Sequence, residues 1–206
     1  MVALLLPLAP NFEEIEAVTV MDIVRRAGIN LTVAALSEER LVTGSHGIPV
    51  YADTSLSAVL APGKVTERFQ GLVLPGGPGT RHLQDDHRVV DLVRQFSQQG
   101  YLVAAICAAP TVLAQAGLLA SRRATSYFSP DVYECAVAGK QDLGLVVGPI
   151  GHYSTEAVVV DGPVITSRGA GTAVAFALEI VACLLGIPQA QHIAAAIHAV
   201  WHPVKT

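Results

Sequence analysis

Short apolar runs of strand length alternate with amphipathic stretches of helix length along nearly the whole chain. That alternation builds βα units, which close over a mostly parallel sheet covered by helices on both faces. Predicted strands fall at 2–6, 31–36, 71–74, 102–106, 157–160 and 164–166, and predicted helices at 13–27, 88–98, 109–116, 130–138, 172–185 and 189–199. The stretch 41–53, in which Gly44 and Gly47 flank Ser45 and His46, has the turn chemistry of a small hairpin inserted between units. The expectation is an α/β three-layer sandwich, and at 206 residues one such domain fills the chain, 1–206.

Hydrophobic residues make up 51% of the chain and charged residues 15%, the reverse of the balance that leaves a chain disordered. A formal net charge of -4 offers no basic stripe to neutralise phosphates, which argues against nucleic acid and against membrane surfaces. No Lys or Arg precedes the apolar opening, so it reads as a buried strand and not as a secretory signal. The apolar run 173–187 is interrupted by Glu179 and falls short of the roughly 20 residues of a membrane span. A soluble, cytoplasmic protein is expected. Cys107, Cys135 and Cys183 are widely spaced with no C-x-x-C pair, and no histidine lies in an H-E-x-x-H context. Neither a disulfide framework, a metal nor a cofactor is expected.

From Leu102 to Leu113 an apolar strand runs into a helix almost without a loop, and Cys107 sits at the junction. In open α/β sheets ligands bind beyond the carboxyl ends of the strands, and a tight strand-to-helix turn pushes its side chain into that crevice. Ala104, Ala105, Ala108 and Ala109 are small enough for such a turn. Pro110 falls in the first helical turn, so helix amides begin beside the sulfur and favour the thiolate. The competing reading is a small buried hydrophobe. That reading is adopted for Cys135 and Cys183.

The helix after the first strand opens Glu13-Glu14-Ile15-Glu16. Dipole complementation explains most acidic residues in a first turn. Glu16, however, aligns at helical spacing with Val20, Ile23 and Ala27 on the stripe facing the sheet, whereas Glu14, Asp22, Arg25 and Arg26 fit a wetter face. A carboxyl on a buried stripe has a raised pKa and can remain protonated as a donor; a snorkelling first-turn glutamate is the plain alternative. The loop from Leu74 through Gly76, Gly77 and Gly79 to Thr80 also lies at a carboxyl end and can aim backbone N–H groups at an oxyanion. It lacks the G-K-[ST] ending of a phosphate loop, and His82 stands where a dinucleotide fingerprint needs a small residue. The stretch 167–172 reads as a tight turn with Thr172 near a helix cap. No histidine is tied to Cys107 by the sequence, so no Cys–His pair is read.

Together, Glu13-Glu14-Ile15-Glu16-Ala17-Val18, Arg25-Arg26-Ala27-Gly28-Ile29, Leu74-Pro75-Gly76-Gly77, the run from Ala104 through Cys107 to Thr111, and the run from Thr166 to Thr172 resemble the ThiJ/PfpI superfamily. The resemblance is greatest to its parkinsonism-associated deglycase branch with the bacterial YajL-like members. It covers nearly the whole chain, with the motifs in family order. It implies a flavodoxin-like sandwich that forms a homodimer, a nucleophilic, oxidation-sensitive Cys107, and a protonated Glu16 donating to it. It further implies an oxyanion pocket at the amides of Gly77 and Ala108, beside Gly76, and an Arg26 that reaches toward the partner's site. Two departures stand out: Tyr127 falls where the best-known animal members carry a histidine, and His46 where they carry an arginine, which leaves the general base open. Ala108 differs from the histidine that follows the cysteine in the superfamily's proteases, which argues against a peptidase.

Two classes of function are expected from this resemblance. In the first, the chain is a cysteine-dependent enzyme of small aldehydes and dicarbonyls, of glutathione-independent glyoxalase or deglycase type. In the second it is a redox sensor or stress chaperone whose Cys107 is oxidised to a sulfinate without small-molecule turnover.

Overall fold

The computed structural model describes residues 2–142 and 144–204. The chain begins β1 (Ala3–Leu8), α1 (Glu14–Arg26), β2 (Asn30–Ala35), β3 (Leu41–Thr43), β4 (Pro49–Tyr51), β5 (Thr54–Ser55), α2 (Leu56–Leu60) and α3 (Val65–Arg68). It continues with β6 (Gly71–Leu74), α4 (Thr80–Asp85), α5 (His87–Gln98), β7 (Leu102–Ile106) and α6 (Pro110–Gln115). The last part holds β8 (Arg123–Ala124), α7 (Pro130–Val137), β9 (His152–Tyr153), β10 (Val158–Asp161), β11 (Val164–Ser167), α8 (Ala173–Leu185) and α9 (Ile187–Ala196).

Seven strands form one sheet in the order β10-β11-β7-β6-β1-β2-β5, parallel at every pairing except β10 with β11. β1 is buried along its whole length, as a central strand covered on both faces must be. Leu4, Leu6 and Leu8 join Val20 and Ile23 of α1 and Phe176 and Ile180 of α8 in one core, while Leu5 joins Val89, Val93 and Phe96 of α5 and Val112 of α6 in the other. This period-two division of one strand between two cores makes the sandwich three-layered. The chain leaves β1 for β2 on one side and reaches β6 on the other, which opens a crevice at the carboxyl ends of β1 and β6.

Each predicted strand and helix has a counterpart, and the inserted hairpin is β3 with β4, in register Leu41↔Tyr51 and Thr43↔Pro49. Its turn places Gly47 at φ +82°, where a side chain would be strained. The unpredicted elements are α4 and the short pieces β5, α2, α3, β8 and β9, which show too little periodicity to read. Among the described residues no helix is long and apolar enough to cross a membrane.

Two readings of burial are corrected. Cys135 and Cys183 are exposed, not core residues. α7 buries Tyr133 and Ala136 on either side of Cys135, and Cys183 lies past Val181, the last buried residue of α8. Glu14 is only 6% exposed rather than on a wet face, because the hairpin turn folds over it. The His46 N–H donates to Oε1 at 2.6 Å, and Ser45 Oγ and His46 Nδ1 lie 3.3 and 2.9 Å from Oε2. Burial by itself would raise this carboxyl's pKa, but the His46 side chain and the His46 and Ile48 amides outweigh it and hold it at about 2.

A carboxylate whose pKa is lowered by folding contributes stability above its unfolded value of 4.5 and loses it as pH falls toward about 2. Glu14→Gln is expected to lower the thermal midpoint at pH 6 by a few degrees and to flatten its fall between pH 4.5 and 2. Melting curves across that range check this; an unchanged acid slope would contradict it.

Candidate active site

The loops that follow β1, β6 and β7 meet the tip of the β3–β4 hairpin at one edge of the sheet. Cys107 directly follows β7 with φ +65°, a left-handed backbone rarely taken by a residue with a side chain. Such a conformation costs about 1–3 kcal/mol and persists where its surroundings over-determine it. Here the Cys107 N–H donates to the Ser167 carbonyl at 2.9 Å, and the Cys107 carbonyl accepts from the Tyr127 N–H at 2.8 Å. The turn that supplies Ser167 is itself clamped by Thr172, whose Oγ1 accepts from the Gly169 N–H at 3.2 Å and lies 2.6 Å from Ser167 Oγ.

Glu16 is fully buried, and its Oε2 accepts the Gly76 N–H at 2.8 Å. Oε1 has no N–H or O–H donor among the described residues, and the polar group beside the carboxyl is the Cys107 thiol. Burial raises the Glu16 pKa to about 7 against the lowering effect of the Gly76 amide. Burial also pushes the Cys107 thiol up, with the Glu16 charge as the second cause, to about 12, while the Gly77 and Ala108 amides pull in the other direction. The helix-start amides are therefore where the sequence places them and pull toward the thiolate, against burial and the Glu16 charge. α6 has only six residues, and desolvation beside a carboxyl outweighs it.

Only glycine fits at 76. A Cβ there would lie 2.6 Å from Cys107 Cβ, 2.7 Å from the Ile106 carbonyl and 2.9 Å from Glu16 Oε2. Gly77, at φ +89°, interlocks with the β1–α1 loop, so that a Cβ would stand 2.6 Å from the Glu13 nitrogen.

A cavity of about 570 Å³ opens above the sulfur. Cys107, Gly77, Ala108, His46 and Tyr127 line it, as the sequence leads one to expect, with Glu16 and Gly76 immediately beneath the sulfur. Arg26 is not part of it in the single chain. It bonds Asp22 at 2.7 Å and lies in a separate groove with Val18, Val174 and Ile197. Sequence reasoning does not single out Glu13, Ser45, Pro78, Arg81, Gly144 and Leu145 as lining residues. Glu13 carries a signal in retrospect, since it caps α1 by accepting the Glu16 N–H at 2.8 Å. Leu145 carries none, for it sits on irregular chain. The stretch 151–155 stands behind the wall: Tyr153 supports Phe128 through its hydroxyl, which donates to the Phe128 carbonyl at 2.6 Å. Glu13, Glu14 and His46 bring ligand atoms within 4.8 Å of one another, but the Glu14 oxygens already hold the hairpin in place.

Fold and site together define a flavodoxin-like α/β protein with a cysteine on a strained strand-to-helix elbow beside a buried glutamate. The chain belongs to the DJ-1/PfpI family, which it matches over residues 2–183. It is 40% identical over 188 residues to Protein dj-1beta of Drosophila melanogaster, across 91% of each chain. To a Caenorhabditis elegans protein named glutathione-independent glyoxalase DJR-1.2 it is 34% identical, across 89% of each. The crystal structure of Drosophila melanogaster DJ-1beta superposes with a TM-score of 0.81, 38% identity, and coverage of 97% of this chain and 98% of that one.

Gly76→Ala is expected to destabilise the fold by about 1–3 kcal/mol through overpacking. Gly171→Ala, where nothing lies within 4 Å of the added methyl, is expected to be near neutral. Urea midpoints of the two variants test the comparison, and equal midpoints would contradict the packing argument.

Proposed function

We propose that the chain is a cysteine-dependent enzyme of reactive dicarbonyls, converting methylglyoxal and water to lactate without glutathione. The observation that supports this reading is the convergence of the Cys107 sulfur, the Glu16 carboxyl and the Gly77 and Ala108 amides at the floor of one cavity. Kinship with a protein named for glyoxalase activity agrees with it.

The Cys107–Glu16 pair holds one proton between pH about 7 and about 12. As the sulfur adds to the aldehyde carbon, a C–S bond forms, the carbonyl π bond breaks, and the thiol proton passes to Glu16. The oxyanion so formed lies beside the Gly77 and Ala108 amides. Glu16 returns that proton to the oxyanion and takes the one on the former aldehyde carbon, which gives an enediolate; with a proton shifted between its two oxygens, delivery of the Glu16 proton to the neighbouring carbon gives a lactoyl thioester. Water then cleaves the thioester, releasing lactate and the thiol. A carboxyl with a pKa near 7 suits the repeated taking and returning of a proton. The same proposal covers deglycase-type action on adducts of dicarbonyls. It also includes a homodimer, in which the groove holding Arg26 and the exposed Val18 and Val174 meets a second copy; sedimentation at micromolar concentration tests that part.

A second reading is favoured by the donors around the sulfur: two amides and a protonated carboxyl would equally hold the oxygens of a Cys107 sulfinate in a sensor or chaperone. Mass spectrometry after mild peroxide tests it, with two oxygens added at Cys107 expected and scattered oxidation of all three cysteines counting against it.

For the enzyme, kcat/KM for methylglyoxal is expected to rise with pH through about 7, since below that value the pair carries a second proton and Glu16 cannot accept the thiol's. Glu16→Gln should lower the rate by about 10²–10⁴-fold and abolish that inflection, and Cys107→Ser should make no lactate. Full turnover by Cys107→Ser would overturn the mechanism.

A further inference from the structure

The cavity of about 570 Å³ is far larger than a three-carbon dicarbonyl fills, and it lies within the range of about 300–1,000 Å³ typical of pockets for much bigger ligands. Its lining is mixed: Glu13, Ser45, His46 and Arg81 are polar or charged, whereas Tyr127, Phe128 and Leu145 are largely apolar. The Tyr127 side chain is 62% exposed although its backbone is fixed one hydrogen bond from the nucleophile, the Tyr127 N–H donating to the Cys107 carbonyl at 2.8 Å. It meets Phe128 edge-on, with ring centroids 5.6 Å apart and planes at 82°. Phe128 in turn is held from behind. Its N–H donates to Ser126 Oγ at 3.3 Å, its carbonyl accepts from the Tyr153 hydroxyl at 2.6 Å, and the Tyr153 ring lies 5.1 Å from that of Tyr133. Folding accounts for the buried ring of Tyr133 and the half-buried rings of Phe128 and Tyr153. It does not account for a ring left in water beside the nucleophile on so firmly held a backbone, a geometry that lowers the entropy cost of receiving an apolar group.

We propose that Tyr127 and Phe128, with Leu145, form a side-chain subsite that selects dicarbonyls carrying an aryl substituent, phenylglyoxal over methylglyoxal. This rests on the dicarbonyl reading of the same site. The bond changes are those already described, with phenylglyoxal and water giving mandelate, and the subsite takes part in none of them.

The test has a kinetic and an equilibrium arm. In the first, initial rates with phenylglyoxal and methylglyoxal are compared for wild type, Tyr127→Ala and Tyr127→Phe. The wild-type kcat/KM ratio is expected to favour the aryl substrate by about tenfold, to collapse toward unity in Tyr127→Ala through KM, and to survive in Tyr127→Phe, which keeps the ring. In the second, binding of mandelate and lactate to Cys107→Ser is measured by calorimetry, alone and combined with Tyr127→Ala; mandelate is expected to bind more tightly, and Tyr127→Ala to remove the margin. Equal ratios in wild type and Tyr127→Ala, or loss of the preference in Tyr127→Phe, would overturn the subsite. A mandelate preference without turnover of either aldehyde would uphold the subsite and overturn the enzymatic reading.

Discussion

A hydrogen bond of 2.8 Å from the Gly76 amide to the Glu16 carboxyl joins residues 60 apart in sequence and holds the working edge of the sheet together. A carboxyl taken fully out of water is costly unless it is hydrogen-bonded, so this bond is a condition for placing an acid where Glu16 stands. The Glu13 N–H answers it by donating to the Gly76 carbonyl at 3.0 Å, which locks the β1–α1 loop against the β6 loop from both sides of one residue. The close approach leaves no room for a side chain at 76, and the same shortage of space sets the Cys107 Cβ against that glycine. Elbow, carboxyl and glycine loop thus constrain one another.

Two glutamates on the first turn of one helix show how much the donors around an acid decide. Glu14 and Glu16 are two residues apart and both are buried, yet one is held at about 2 and the other raised to about 7. Residues two apart on a helix point in nearly opposite directions. One therefore faces the hairpin, where the His46 ring and two backbone amides receive it, and the other faces the sheet, where a single amide does. The first serves as a clamp for the hairpin that bounds the cavity. The second keeps a proton within reach of neutral pH.

The fold and the floor of the site are legible in the sequence because both rest on local pattern. A short continuous apolar run marks β1, helical spacing sets Glu16 on the sheet-facing stripe, and small residues with Pro110 mark the elbow at Cys107. The walls are less legible, since they depend on which surface segments tertiary packing brings over the crevice. Glu14 looked wet on its helix, and only the return of the hairpin buries it. Phe128 and Leu145 belong to chain without regular periodicity, while 151–155 backs the wall without lining it. Arg26 lies on the helix away from its own chain's cavity, in a separate groove with Val18, Val174 and Ile197.

The state of the thiol shows where a local argument reaches its limit. Reading a helix start beside Cys107 leads to a resting thiolate, and the Gly77 and Ala108 amides do act in that direction. Yet the sulfur is partly withdrawn from water next to an acid that bears charge above pH about 7, and a second negative charge there is unfavourable on both counts. Cys107 and Glu16 are accordingly one acid–base unit carrying one proton between them. In such a unit the nucleophile need not be ionised in advance, because the thiolate's charge can pass to a substrate oxygen as the C–S bond forms. On the proposed mechanism, the Gly77 and Ala108 amides that pull only weakly on a buried sulfur would act on an oxygen placed beside them. In the same mechanism, desolvation that disfavours the resting thiolate would also favour the adduct.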